Sequence, residues 1–202
     1  GGLLDVVLDP AFASNRLVYL SFSEPREDGK NSTSVMRGRL TESGTALENT
    51  SVIFRQNMPV RSNLHFGSRL VFGRDGHMFI TTGDRYDFKD EAQNPASHLG
   101  KIIRIRSDGS VPPDNPQKPG WAPEIWSIGH RNVQGAALHP VTGQLWTIEH
   151  GAQGGGRAGA GCVYRDGRGG GGRPDLVGPQ QVHIGGDQIV VSDERGGVLL
   201  AV

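Results

Sequence analysis

The stretch RLVFGRDGHMFITTGD, residues 69–84, decides the fold. Apolar runs at 70–72 and 78–80 flank the turn-forming Asp75 and Gly76, the pattern of a β-hairpin. The same phrase recurs as LLDVVLDPAFASNRLVYLSFSE from Leu3, GAALHPVTGQLWTIEHG from Gly135 and QVHIGGDQIVVSDERGGVLLAV from Gln181. Aligned on Leu8, Phe72, Leu138 and Ile184, the copies lie 64, 66 and 46 residues apart. Strand-built repeats of this length point to an all-β protein, a β-propeller of four-stranded antiparallel blades.

Working outward, the first unit holds four strands, near residues 5–9, 17–23, 34–40 and 51–55, and makes one full blade. The second has strands at 69–72, 77–82, 100–106 and 124–128 and an excursion at 83–98, a length of loop that in compact folds carries function. The third yields only the hairpin 135–150. Residues 151–175 then hold 11 Gly among 25 and no strand period. The grammar resumes near residue 181. The expected organisation is therefore 1–150 as two full blades and one half, 151–179 as an irregular Gly-rich linker and 180–202 as a partial closing blade. That makes three to four blades, an incomplete ring.

Composition narrows the function classes. The 21 basic and 21 acidic residues cancel, so no net field steers the chain to nucleic acid or anionic membranes. No apolar run approaches the roughly 20 residues of a membrane-spanning helix. With 35% hydrophobic residues the chain can bury a core. The single Cys162 allows no internal disulfide framework. Gly1 opens directly on a strand pattern without a signal peptide, so the natural N-terminus is expected upstream.

Simple site signatures are absent. His77, His98, His130, His139 and His183 sit on separate turns without zinc-ligand spacing. Ser62 and Ser68 lack a nucleophile elbow. Asp84, Asp87, Asp90 and Glu91 match no EF-hand spacing and read as a solvated acidic loop. The Arg- and Gly-rich run at 167–173 lacks interleaved aromatics and reads as linker.

Four motifs in series carry more. HFGSRLVFGRDG (65–76), HLGKIIRIRSDGSVPPDNP (98–116), EIWSIGHRNVQGAALHP (124–140) and EHG (149–151) resemble the soluble pyrroloquinoline-quinone (PQQ)-dependent aldose sugar dehydrogenases, six-bladed propeller quinoproteins that include soluble glucose dehydrogenase. The resemblance implies oxidation of the C1 hydroxyl of an aldose to a lactone, with hydride transfer to PQQ and an external electron acceptor. It makes His65 the base; an imidazole is suited to take such a proton. It places Arg131 and Asn132 on the cofactor, where a planar cation and an amide hold quinone carbonyls. His150 faces the cofactor, and the main-chain carbonyls of Gly151 and Ala152 bind Ca2+, a hard cation that accepts such ligands. Periplasmic or secreted location follows from the same resemblance.

The departures weigh beside the matches. Ala152 stands where the family has Pro, and GRAGAGCVYRDGRGGGGRPD replaces an acidic pair and an Asn-Tyr-Gly-Trp segment, which reads as an internal deletion or frame error. On the resemblance, the blades that would clamp the quinone carboxylates are expected to be missing, and activity is expected to suffer. A non-catalytic, propeller-derived binding module stands as the alternative, and exposed blade edges invite a second copy into a homo-oligomer.

Overall fold

In the computed structural model, residues 1–116 and 118–149 are described with their side chains, and His150 and the strands within 156–160, 181–185, 188–193 and 196–201 as backbone. The first sheet is β1 (Leu3–Leu8), β2 (Leu17–Pro25), β3 (Asn31–Leu40) and β4 (Leu47–Arg55), paired in that order. The second repeats the order with β5 (Gly67–Phe72), β6 (Met78–Thr82), β7 (Lys101–Ile105) and β8 (Ile125–Ile128). A third has β9 (Val133–Leu138), β10 (Leu145–His150) and β11 (Gly156–Ala160), and a fourth β12 (Gln181–Gly185), β13 (Gln188–Asp193) and β14 (Gly196–Ala201). All neighbours are antiparallel. The leading strands lie side by side, β1 on β5, β5 on β9 and β9 on β12, the arrangement of propeller blades.

The hairpin at 69–84 forms as its pattern requires. Gly73 and His77 close it through Gly73 N–H to His77 O at 2.7 Å, and Gly76 adopts φ +78°. Asp75 Oδ1 accepts from His77 N at 3.1 Å and Oδ2 from Arg104 Nη2 at 2.7 Å. Partial burial alone would raise the Asp75 carboxyl, but the bonds from Arg104 and His77 outweigh it and hold it at about 2.

Between the first two blades lies a core of Tyr19, Val35, Phe54, Leu70, Met78, Ile80, Ile103, Ile105 and Ile125. Each such side chain contributes roughly 1.5–3 kcal/mol of transfer free energy. Blade two has neighbours on both faces, which is why KIIRI in β7 is buried at every position. On β1, by contrast, Leu3, Val6 and Leu8 are more than half exposed.

One expectation is corrected. The third unit does not stop at its hairpin: β11 pairs with β10 from Trp146↔Ala160 to His150↔Gly156. Its sequence, GRAGA, has no apolar alternation, so the strand is held through the backbone ladder and leaves no trace in a side-chain pattern. The rest of the linker read at 151–179 lies outside the described residues.

Candidate active site

Two connections bring the sequence-predicted residues together. The loop before β5 carries His65, and the turn between β8 and β9 carries Arg131 and Asn132; both open on the same end of the sheets. They line one open cleft of about 550 Å³, with Leu4, Arg69, Tyr86 and Gln134 on its walls. Asn132 is buried, and its Oδ1 accepts from Gly67 N at 3.0 Å, tying the third blade to the start of β5.

At the centre is Asp84, 1% exposed. It lies two residues past β6, at the start of the excursion, and its Oδ1 lies 2.7 Å from His65 Nδ1. Its Oδ2 accepts from Arg131 Nη1 at 2.7 Å, and its backbone N–H donates to Arg131 O at 2.8 Å. Tyr86 N adds a third donor to the carboxylate at 2.9 Å. A carboxylate only accepts, so the proton of the His65–Asp84 bond sits on Nδ1, the tautomer that in a neutral imidazole leaves the Nε2 lone pair for other partners. The Tyr86 ring packs edge to face with His65 at 5.1 Å and under the Arg131 guanidinium at 5.4 Å. The Arg131 backbone is fixed as well, its amide N–H donating to Glu149 Oε2 at 2.7 Å.

The backbone here is unusual. His65, Ser68 and Tyr86 all have positive φ, 49°, 74° and 72°, a region that costs non-glycine residues energy. Such strain persists only where surrounding contacts impose it, and here the carboxylate of Asp84 and the β5–β6 pairing do so.

Asp84 departs from the reading of this segment as a solvated acidic loop, while Asp87 and Asp90 are exposed as that reading expects. The burial of Asp84 is created by Arg131 from the next blade, 47 residues away, which no local pattern reveals. The one local signal is its place as the last residue of the hairpin phrase 69–84. The excursion itself is pinned by Lys101, whose buried Nζ donates to the carbonyls of Glu91, Ala92 and Leu99 at 2.7, 3.0 and 2.7 Å. Burial pulls its ammonium down to about 7, although Glu91 nearby acts to raise it. His150 ends β10, with its side chain outside the description; Gly151 and Ala152 lie outside the described residues altogether.

The cleft's wall is rich in donors for an acceptor-bearing cofactor. Besides Arg131 and Asn132, Arg69 lines it, and its Nε is buried without a hydrogen-bond partner among the described residues. Guanidinium and amide donors suit the carbonyls and carboxylates of a quinone.

The chain belongs to the Glucose / Sorbosone dehydrogenase family, whose family model matches residues 1–158. Among curated proteins it is 43% identical over 157 residues to the aldose sugar dehydrogenase YliI of Escherichia coli strain K12, covering 77% of this chain and 42% of that protein. It is 33% identical over 173 residues to the quinoprotein glucose dehydrogenase B of Acinetobacter calcoaceticus, covering 74% and 36%. Among solved structures, the PQQ-bound form of the aldose sugar dehydrogenase from Streptomyces coelicolor superposes with a TM-score of 0.77 at 28% identity, over 97% of this chain and 61% of that one. The chain thus spans less than half the length of these two curated relatives. Among the described residues, no helix is long and apolar enough to cross a membrane.

Proposed function

We propose that the cleft is the proton-transfer side of a quinoprotein sugar dehydrogenase site, acting on the C1 hydroxyl of an aldose. The observation that carries this reading is the chain Arg131–Asp84–His65, in which a buried carboxylate fixes one face of an imidazole and leaves the other toward an open cleft. When bound, PQQ supplies the two-electron acceptor for the hydride that leaves C1 as the lactone forms. His65 Nε2 takes the C1 hydroxyl proton, and Asp84 steadies the imidazolium that results. Arg131, held against Asp84 and Tyr86, places a fixed cation where negative charge develops. Asn132 and Arg69, which line the cleft, would offer N–H groups to the cofactor's acceptors. In the same reading His150 faces the quinone and Gly151 and Ala152 hold Ca2+, while an external acceptor reoxidises the cofactor and the chain works in the periplasm or outside the cell.

Calorimetric titration with PQQ in millimolar calcium tests it. Saturable binding that EDTA abolishes supports the reading; absence of heat with a folded chain removes it. A second reading, a non-catalytic module that self-associates, draws on one observation: the exposed Leu3, Val6 and Leu8 on β1. Sedimentation equilibrium showing only monomer would eliminate it.

A further inference from the structure

Arg85 directly follows Asp84 and is wholly buried, yet among the described residues no carboxylate pairs with it. Its charge is met by neutral groups. Nε donates to Leu64 O at 2.9 Å, and Nη2 donates to Asn31 Oδ1 at 2.6 Å and to Ser62 O. The guanidinium carbon lies 3.8 Å from the centre of the Phe66 ring, a cation–π contact. In return, Ser62 Oγ donates to Arg85 O at 2.8 Å. Ser62, Leu64 and Phe66 are thus all engaged by one side chain, and the residue between the last two is His65.

The backbone explains how neighbours divide the task. Arg85 and Tyr86 are both left-handed, φ 60° and 72°, a succession that non-glycine residues adopt only under constraint. It lets Asp84 reach the imidazole, Arg85 reach the loop that carries it, and Tyr86 reach the cleft wall. Burying an unpaired charge is costly, and stability alone is as well served by an apolar side chain. The arrangement makes sense as a means of fixing geometry.

We infer that Arg85 is a positioning residue for the sugar-oxidising site, clasping residues 62–66 so that His65 is held between Asp84 and the cleft. The inference rests on the reading of His65 as the base. Burial lowers the Arg85 guanidinium to about 10, so it is cationic throughout the neutral range.

The test uses the full chain with 15N-labelled histidine and the variants Arg85→Met, which keeps an unbranched stem but no donors, and Arg85→Lys. NMR reads the His65 Nδ1 proton whether or not the chain turns over; sugar-dependent dye reduction with added PQQ reads activity. Arg85→Met is expected to melt cooperatively, lose the slowly exchanging Nδ1 proton and drop kcat roughly 100-fold at nearly constant KM, the scale of a small misplacement of a catalytic group. Arg85→Lys should restore part of both. Retention of the proton and of kcat in Arg85→Met overturns the inference. Should Arg85→Met fail to fold, Asn31→Ala removes a single acceptor of the clasp: faster Nδ1 exchange supports the inference and unchanged exchange overturns it. A wild-type chain that shows the proton but no turnover refutes the base reading alone, and the exchange data still decide the role of Arg85.

Discussion

Gly83 and His65 meet so closely that a Cβ built on Gly83 would stand 1.8 Å from the His65 carbonyl oxygen. The contact is backbone against backbone, so no rotamer change relieves it, and Gly83 N–H uses the approach to donate to Phe66 O at 3.0 Å. Gly83→Ala should therefore push the His65 loop away from Asp84 and cost about 1–3 kcal/mol, the range for overpacking. Chemical denaturation of the two proteins checks the magnitude; equal midpoints would contradict it.

Asp84→Asn keeps the shape of the side chain and removes its charge. An amide can turn its NH2 toward Nδ1, which places the imidazole proton on Nε2 and takes away the lone pair that faces the cleft. On the proposed function, kcat falls on the order of 1,000-fold while folding persists, by analogy with a base held in the wrong tautomer. Steady-state dye reduction measures the loss, and a change under about tenfold would count against the assignment.

Lys101 gives the pH dependence. Its pKa falls from 10.5 in a solvated chain to about 7 in the fold, mainly through burial. Between those values the unfolded chain binds a proton that the folded chain does not, so this group makes stability rise with pH, by at most about 1.4 kcal/mol per unit. The gain is complete above pH 10.5 and is lost as pH falls through the window to 7. Lys101→Met should lack this component and, by leaving three carbonyls without their donor, should be less stable at pH 7 by a few kcal/mol, about 1–3 for each unsatisfied group that water cannot reach. Parallel stability curves from pH 7 to 10 would refute the assignment.

The fold was legible because hairpins leave a periodic mark: the turn at Asp75 and Gly76, the apolar alternation of β5 and β6, and the same grammar in the other copies. The motif around His65 and the pair Arg131 and Asn132 could be read through resemblance, and the structure sets all three on one cleft. Asp84 could not, because its burial comes from another blade and its neighbours Asp87 and Asp90 make the segment look solvated. Arg85 and Lys101 escaped for a related reason. Both are charged residues buried against backbone carbonyls, and only tertiary contact distinguishes them from surface cations. Strand β11 has no apolar period in GRAGA, so its pairing with β10 leaves no mark in the sequence.

Arg131→Gln separates the electrostatic part of the proposal from proton transfer. The variant loses the 2.7 Å bond to Asp84 and the cation above Tyr86. It should weaken PQQ binding as well as kcat, whereas Asp84→Asn should affect kcat far more than binding. Calorimetry on both variants checks the contrast, and identical profiles would show that the two residues act as one structural unit.

On the proposed function, His65 removes the sugar proton. The most direct measurement is single-turnover reduction of added PQQ by an aldose, in millimolar calcium, for the wild-type chain and His65→Ala. The expected rate is at least about 1,000-fold lower in the variant, the upper part of the range for general-base catalysis, with PQQ affinity preserved within about threefold. Equal rates in the two proteins would contradict it.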